Sequence, residues 1–268
     1  MARRIAVAAT APLGADVLER LAAEHEVVQL LTRPDRPRGR GRKVGASPAK
    51  DAAERLGIPV AQPVRLDESV ELAADTVVVC AYGALIPVSL LERALWLNVH
   101  PSLLPRWRGA APVERALMAG DAETGVTIHR TIEELDAGPV AAQRAFPLGP
   151  DDDAGAVYAR AGELAAELLG ELLGRDEIEF VPQSDEGVTY AEKIGPGDRE
   201  LDLAWQPSEV VNRVRALSPH IGARAVVDGR PLLVWRARVG ADGSLDLLEV
   251  QPEGKRRMRY EDYVRGLR

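Results

Sequence analysis

The amino-acid sequence predicts an α/β fold with a doubly wound, Rossmann-like sheet, followed by a small β-rich second domain. Short, continuously apolar runs of strand type alternate with stretches of helical periodicity in the first two thirds of the chain. This alternation favours right-handed crossovers between strands of a common sheet. After residue 207 the pattern changes to one short helical stretch and three strand-like runs. The order of elements therefore indicates two domains.

The first elements follow from this alternation. Residues 4–9 form an apolar run of strand type, and leucines and valines then recur at helical spacing over residues 13–21. Residues 27–31 predict a second buried strand. Residues 32–47 are not expected to form a regular element, because prolines and glycines interrupt every period. Ser47-Pro48 is typical of a helix N-cap with proline at the first helical position.

The strongest strand signal lies at residues 76–81, where a continuously apolar and β-branched run is typical of a parallel sheet covered on both faces. The single cysteine, Cys80, lies inside this run and is expected to be a small buried hydrophobe. Further elements of this domain are predicted as a helix from about Val88, strands over 96–100, 126–131 and 139–146, and a helix over 154–173.

The second domain is separated by a segment with three prolines, mixed charge and little periodicity. A helix is predicted over 209–217, and Asp228-Gly229 between strand-like runs indicates a β-hairpin. The predicted division is a first domain over residues 1–181, a linker over 182–206 and a second domain over 207–268.

Composition excludes several classes of protein. One cysteine rules out a disulfide framework and a cysteine-based zinc site, and the four histidines show no ligand spacing, so no metal is expected. No apolar stretch reaches the roughly 18 residues of a membrane helix, and the apolar run after the N-terminus is too short for a signal peptide. A cytoplasmic protein without a membrane partner is expected. The net charge of −7 argues by itself against nucleic acid, although the basic residues are concentrated locally.

A doubly wound sheet raises the possibility of nucleotide binding. The first strand is not followed by G-x-G-x-x-G, and the glycine-rich stretch GRGRKVG misses that spacing by one residue. No P-loop is present. A nucleotide-dependent oxidoreductase therefore remains the weaker alternative.

The stretch NVHPSLLPRWRG, which begins at Asn98, carries the strongest functional signal. Side chains alternate along a strand, so Asn98 and His100 face the same side, at the carboxyl end where open α/β sheets bind ligands. Pro101 and Pro105 restrict the backbone of the loop that follows, which suits a loop that must meet a ligand. A turn cap and a buried structural histidine are the alternative explanation for these two polar residues.

The segments N-V-H-P-S-L-L-P, R-G and E-L-D-A-G-P-V resemble the 10-formyltetrahydrofolate-dependent formyltransferases. The resemblance implies that 10-formyltetrahydrofolate is the formyl donor and co-substrate, and that Asn98, His100 and Asp136 are catalytic. Residues implied to bind folate are Ser102, Leu103, Leu104, Pro105, Tyr82 and Gly83.

The chemistry of formyl transfer suits these residue types. An amine attacks the formyl carbon, and an amide and an imidazolium can both donate hydrogen bonds to the oxyanion that develops. Asp136 near His100 is expected to raise the histidine pKa and to help move the proton lost by the amine. Because Asp136 precedes Gly138, a simple turn residue is the alternative.

Two basic clusters indicate which branch of the family the chain resembles. The stretch TRPDRPRGRGRKVGASPAK resembles the P-D-R-P-x-G-R-G-x-K loop of the branch that acts on methionyl-tRNA, whereas a solvated basic loop is the alternative. That branch carries an OB-like β-barrel at its C-terminus; here it is shortened, without a hairpin between Val239 and Leu245. Residues implied to bind tRNA are Arg36, Arg38, Arg40, Arg42, Lys43, Lys255 and Arg256.

The resemblance implies a monomeric enzyme that formylates the α-amine of initiator methionyl-tRNA. The middle of the chain is mixed: RWRGAAP resembles the tRNA branch, whereas TIHRTIEELDAGPVAAQ resembles the branch that acts on glycinamide ribonucleotide. A folate-dependent formyltransferase acting on a sugar amine or glycinamide ribonucleotide is therefore the alternative. A tRNA-binding module with an inactive formyl site is a further alternative.

Overall fold

The computed structural model describes residues 2–38 and 43–267, which divide into two compact units. The first unit comprises Met1–Arg108, Gly125–Ala145 and Ala159–Thr189, and the second comprises Gly109–Thr124, Phe146–Tyr158 and Tyr190–Arg268. The described strands are β1 (Arg4–Ala9), β2 (Glu26–Leu31), β3 (Arg36–Arg38), β4 (Lys43–Gly45), β5 (Val60–Ala61), β6 (Thr76–Cys80), β7 (Leu95–His100), β8 (Arg108–Gly109), β9 (Glu123–Arg130), β10 (Val140–Pro147), β11 (Tyr190–Ala191), β12 (Ala223–Val227), β13 (Arg230–Val239), β14 (Leu245–Pro252) and β15 (Met258–Arg259). The α-helices are α1 (Pro12–Glu24), α2 (Pro48–Leu56), α3 (Val88–Leu91), α4 (Pro112–Ala119), α5 (Ala154–Leu173), α6 (Pro207–Leu217) and α7 (Tyr260–Arg265), with a 3₁₀ turn at Gly197–Arg199.

Seven of the described strands form one sheet in the order β10-β9-β7-β6-β1-β2-β5. β1 lies at the centre of the five parallel strands, with β2 and β5 on one side and β6 and β7 on the other. The order confirms the predicted doubly wound sheet. The sheet is not parallel throughout, however, because β9 runs antiparallel to β7 and places His129 opposite Asn98.

The centre of this sheet is apolar on both faces, as its continuous hydrophobic runs predicted. Every β1 residue from Ile5 to Ala9 is fully buried, which is typical of a parallel strand with layers on both sides. Helix α1 approaches closely because it carries Gly14: a Cβ there would lie 2.5 Å from the Cys80 carbonyl oxygen. Cys80 is itself buried, and burial raises the pKa of its thiol. The prediction that Cys80 is a small buried hydrophobe is thus confirmed.

The region 32–47 corrects one prediction, because it contains a short hairpin where no regular element was expected. β3 and β4 pair antiparallel, with Arg36 opposite Gly45 and Arg38 opposite Lys43. A ribbon of three residues per strand depends on local pairing rather than on a hydrophobic period, so the pattern of the sequence could not reveal it. The predicted cap is confirmed, since the Ser47 hydroxyl accepts a hydrogen bond of 3.0 Å from the Lys50 amide.

The second unit contains a four-stranded antiparallel sheet in the order β12-β13-β14-β15, with α6 and α7 contributing to its apolar core. Both Asp228 and Gly229 have positive φ, 49° and 74°, as a two-residue type I′ hairpin requires. β13 and β14 are joined by a short turn in which the Gly240 amide donates to the Ser244 carbonyl at 2.8 Å. This turn lies between Val239 and Leu245, where the sequence predicted that a hairpin is missing. The shortened OB-like domain is a meander of four consecutive antiparallel strands. No helix within residues 2–38 and 43–267 is long and apolar enough to cross a membrane.

Candidate active site

Polar side chains of the first unit meet at the carboxyl end of β7. Asn98 and His100 lie on β7, and the structure brings both to Asp136, which lies in the turn after β9. His129, on β9, completes the cluster with a second imidazole. The three residues predicted to be catalytic are therefore neighbours. Within the described residues, no group of three histidine, cysteine or acidic side chains is arranged to hold a metal ion.

His129 fixes the orientation of the Asn98 amide. His129 Nδ1 donates to the Arg130 carbonyl at 3.0 Å, so its Nε2 is an acceptor, and Asn98 Nδ2 lies 2.9 Å from that atom. The same Asn98 nitrogen donates to Asp136 Oδ1 at 3.3 Å. Both amide protons therefore point into the cluster. This role of His129 was not predicted from the sequence, because only the antiparallel pairing of β7 and β9 places it beside Asn98.

His100 is buried and holds one defined tautomer. Its Nε2 donates to the Trp107 carbonyl at 2.8 Å, and its Nδ1 lies 3.6 Å from Asp136 Oδ2. Burial lowers the pKa of His100, and this effect outweighs the neighbouring Asp136 carboxylate and the Trp107 carbonyl, which act to raise it. Asp136 therefore acts in the predicted direction, but burial outweighs it and leaves the pKa of His100 below its ordinary value. The neutral ring presents the Nδ1 lone pair towards Asp136, where it can accept a proton.

The backbone of Asp136 has a φ of 51°, in the left-handed region that residues other than glycine seldom occupy. Gly138 follows closely: a Cβ at this position would lie only 1.7 Å from the Arg130 carbonyl oxygen. The turn after β9 thus passes directly over the end of that strand. This close passage directs the Asp136 carboxylate towards Asn98 and the imidazoles.

The loop after His100 is held by hydrogen bonds of its own. Ser102 is buried, and its hydroxyl donates to the Arg106 carbonyl at 2.7 Å. The Thr127 hydroxyl donates to the Ser102 carbonyl at 2.7 Å and accepts from the Leu104 amide at 3.1 Å. The Leu104 side chain is also buried, whereas Leu103 and Pro105 are half-buried. These hydrogen bonds hold the predicted folate-binding segment in one conformation, and its accessible surface comes mainly from Leu103 and Pro105.

Tyr82 and Arg33 line a cavity of about 700 Å³ in the first unit, and Gly83 follows Tyr82 in the chain. The ring of Tyr82 is buried, which raises the pKa of its hydroxyl, and the Gly83 carbonyl accepts from the Arg33 guanidinium at 3.0 Å. The other residues that line the cavity are Pro34, Asp35, Arg36, Pro63, Val64, Arg65, Leu66, Asp67, Ala84 and Leu85. Of the residues predicted for folate, Tyr82 lines this cavity, together with the base of the β3–β4 hairpin.

The residues predicted to bind tRNA fall in two places. Arg36 is exposed on β3; Arg38 is the last residue of β3 and pairs through its backbone with Lys43, the first residue of β4. The predictions for Arg40 and Arg42 concern residues that lie outside the described parts of the chain. The other two predicted residues, Lys255 and Arg256, lie in the second unit, and both are exposed.

The basic turn of the second unit is anchored by an aromatic contact. The Arg257 guanidinium stacks 3.4 Å from the centroid of the Trp235 ring and donates to the Pro219 carbonyl at 2.7 Å. Arg257 is thus used in packing. Its neighbours Lys255 and Arg256 form no ion pair within residues 43–267 and face solvent.

Comparison with known proteins assigns the family. The formyl transferase family model matches residues 3–173, and the model of the formyl transferase C-terminal domain matches residues 193–244. The methionyl-tRNA formyltransferase of Paracoccus denitrificans is 39% identical to this chain, and the match covers 98% of this chain and 97% of the relative. The methionyl-tRNA formyltransferase of Aromatoleum aromaticum is 40% identical, and the match covers 98% of this chain and 94% of the relative.

Solved structures share the fold at lower identity. The methionyl-tRNA formyltransferase from Clostridium thermocellum superposes with a TM-score of 0.66 at 14% identity, covering 94% of this chain and 99% of its own. HypX from Aquifex aeolicus in complex with tetrahydrofolic acid superposes with a TM-score of 0.66 at 21% identity, covering 98% of this chain and 47% of its own. The chain therefore belongs to the formyltransferase family, and the curated relatives that it matches over nearly its full length are methionyl-tRNA formyltransferases.

Proposed function

We propose that this chain transfers the formyl group of 10-formyltetrahydrofolate to the α-amine of methionyl initiator tRNA, for translation initiation. The observation that carries the proposal is the cluster of Asn98, His100 and Asp136 at the end of β7, in a chain about 39% identical to methionyl-tRNA formyltransferases along 98% of its length. An amide and an imidazole that face one carboxylate fit the formyl carbonyl and the amine that attacks it.

In this reaction a bond forms between the amine nitrogen and the formyl carbon, the bond from that carbon to folate N10 breaks, and the proton lost by the amine ends on N10. A free α-amine has a pKa of about 7.7–8.0, so a useful fraction is neutral at physiological pH. The chain must therefore position the two substrates, stabilise the oxyanion and move one proton.

Asn98 supplies the oxyanion contact. Its Nδ2 is held towards the cluster by His129 at 2.9 Å, while the contact to Asp136 is longer, 3.3 Å. The oxyanion replaces this longer contact, so the amide needs little reorientation. Loss of such a donor costs on the order of 100-fold in rate.

His100 and Asp136 move the proton. His100 Nδ1 accepts the amine proton, because Nε2 is already bonded to the Trp107 carbonyl. The Asp136 carboxylate, 3.6 Å from Nδ1, stabilises the imidazolium that forms. The lowered pKa of the resting ring favours return of the proton to the folate nitrogen.

The substrate contacts form a second part of the proposal. Folate lies against Tyr82 and Gly83 and the loop formed by Ser102, Leu103, Leu104 and Pro105. Phosphates of the tRNA contact the residues Arg36, Arg38, Arg40, Arg42, Lys43, Lys255 and Arg256. Phosphate contacts release counterions, so activity on tRNA should fall steeply with added salt; a flat salt profile would remove the support for these contacts.

The division into residues 1–181, 182–206 and 207–268, a monomeric state and a cytoplasmic location complete the proposal. The family models, which end at 173 and resume at 193, support a boundary between these positions. Limited proteolysis tests the boundary by its cleavage sites, and light scattering tests the monomer by its mass. Cell fractionation tests the location, which follows from the need to meet charged tRNA.

The decisive experiment is formyl transfer from 10-formyltetrahydrofolate to three acceptors in parallel: methionyl initiator tRNA, glycinamide ribonucleotide and an amino-sugar nucleotide. Transfer to the charged tRNA alone is expected. Transfer only to a small amine would keep the catalytic cluster but overturn the tRNA contacts. Absence of transfer together with tRNA binding would favour an inactive tRNA-binding module.

A further inference from the structure

Asp136 needs support from outside its own turn. Its backbone lies in the left-handed region, and its carboxylate must reach Asn98 Nδ2 with one oxygen and His100 Nδ1 with the other. Within the turn, the Ala137 amide makes a long hydrogen bond of 3.3 Å to the Glu134 carbonyl. A turn of this kind keeps a rare conformation only when the surrounding structure enforces it.

The side-chain amide of Gln183 bridges this turn. Gln183 Nε2 donates to the Asp136 carbonyl at 2.7 Å and to the Gly138 carbonyl at 2.8 Å. One nitrogen thus uses both of its protons to hold two carbonyls that are two residues apart. Both contacts are short for N–H···O hydrogen bonds. They fix the direction of the Asp136–Ala137 and Gly138–Pro139 peptide groups.

Arg108 in turn fixes Gln183. The Gln183 Oε1 atom accepts from Arg108 Nε at 3.1 Å and from Arg108 Nη2 at 2.8 Å. The orientation of the Gln183 amide follows from its partners, since a rotated amide would place its oxygen against two carbonyls and its nitrogen against a guanidinium. Arg108 is buried, so this contact is shielded from water.

The same two segments also hold His100. The Trp107 carbonyl accepts from His100 Nε2, while the Trp107 amide donates to the Thr189 hydroxyl at 2.9 Å. Val181 forms a two-hydrogen-bond bridge with Val140, which anchors the chain two residues before Gln183. Residues 181–189 therefore support both the histidine and the aspartate of the cluster.

We propose that Gln183, held by Arg108, is a positioning residue that keeps the Asp136 turn in the conformation that aims its carboxylate at Asn98 and His100. Gln183 touches no reacting atom and acts through Asp136. The inference rests on the proposed formyl transfer and names a residue within the segment that the sequence assigned to a linker. It requires the two hydrogen bonds from Gln183 to affect kcat and the pKa of His100 rather than stability alone.

The test replaces Gln183 by methionine, which keeps the length of the side chain and removes both donors without adding charge. A turn displaced by about 1 Å is expected to cost roughly 10- to 100-fold in kcat, with both KM values nearly unchanged. The titratable groups that face His100 are Asp136 and His129. If the carboxylate withdraws, the pKa of His100, followed by NMR of its ring protons, falls below the wild-type value. This titration needs no substrate.

A matched control is Gln29→Met. Gln29 is buried and, like Gln183, bridges backbone groups, donating to the Glu71 carbonyl at 2.9 Å and accepting from the Ala73 amide at 3.1 Å. The Gln29→Met substitution is expected to lower the melting temperature while leaving kcat and the His100 titration as in the wild type. Should Gln183→Met fail to fold, Gln183→Glu keeps the shape and the Arg108 contact while removing both donors.

A double-mutant cycle with Asp136→Asn separates positioning from a general loss of structure. Because Gln183 acts through Asp136, adding Gln183→Met to Asp136→Asn should reduce kcat little further. Additive losses, or a wild-type His100 titration in Gln183→Met, would overturn the inference. A wild type that does not formylate methionyl-tRNA would instead overturn the proposed function, and the His100 titration would still decide the role of Gln183.

Discussion

Gly138→Ala is the substitution whose effect the structure predicts most directly. Gly138 lies in the turn that carries Asp136, and a Cβ there would lie 1.7 Å from the Arg130 carbonyl oxygen and 3.3 Å from His129 Nδ1. Ordinary contact begins at 3.4 Å, so the turn and the end of β9 must separate by about 1.7 Å. The first of these contacts is with backbone, so no flexible side chain can move aside.

The displacement predicts both a loss of folding free energy and a loss of catalytic rate. Overpacking of this kind costs about 1–3 kcal/mol of folding free energy. Asp136 reaches Asn98 and His100 over 3.3 and 3.6 Å, so a shift of more than 1 Å removes one or both contacts. A misplacement of this size costs on the order of 100-fold in rate, which corresponds to about 2.7 kcal/mol of transition-state stabilisation.

The assay is steady-state formyl transfer together with thermal unfolding of the same preparation. Gly197→Ala is the control, because nothing lies within 4 Å of a Cβ at that position, and it should leave both kcat and the melting temperature nearly unchanged. A Gly138→Ala enzyme with wild-type kcat and stability would refute the reasoning, since the turn would then not be tightly placed over β9.

Three further predictions concern the site, the basic hairpin and the second unit. His100→Ala should lower kcat on the order of 100-fold or more while tRNA binding, measured by filter retention, stays unchanged; a large loss of binding would contradict the role. Arg36→Ala should weaken tRNA binding and flatten its salt dependence by about one phosphate contact, with folate binding retained; an unchanged salt slope would argue against the contact. Glu114 is half-buried beside the Tyr158 hydroxyl, and its partial burial raises its pKa, so its stability contribution is present at acid pH and is lost as pH rises through the raised pKa. Glu114→Gln should therefore raise the melting temperature at pH 7, with the gain shrinking towards pH 4; a constant gain at all pH values would exclude this cause.

The sequence predicted the main elements of the fold because each has a local signature. The continuous apolar run at 76–81 indicated a buried parallel strand, and Asp228-Gly229 indicated a hairpin that the positive φ angles bear out. The β3–β4 hairpin was missed because its pairing leaves no hydrophobic period. The antiparallel direction of β9 was missed as well, since the direction of a strand depends on how the chain returns to the sheet rather than on the strand's own residues.

The site was predictable where its residues lie close in sequence. Asn98 and His100 share a strand face by alternation, whereas Asp136 was assigned through resemblance alone. His129, Gln183 and Arg108 carry no signal of their own as isolated residues. They become part of the site only through the register of β9 on β7 and through the contacts of residues 181–189.

The sequence by itself determined the order of the main strands of the sheet, its apolar centre and the chemistry available at the end of β7. These properties follow from local spacing, so they can be read along the chain. Only the tertiary structure decided that burial outweighs Asp136 in setting the pKa of His100, and that Gln183 clamps the Asp136 turn. Solvation and hydrogen bonding between residues 47 positions apart depend on what surrounds each group in space, which spacing along the chain does not encode.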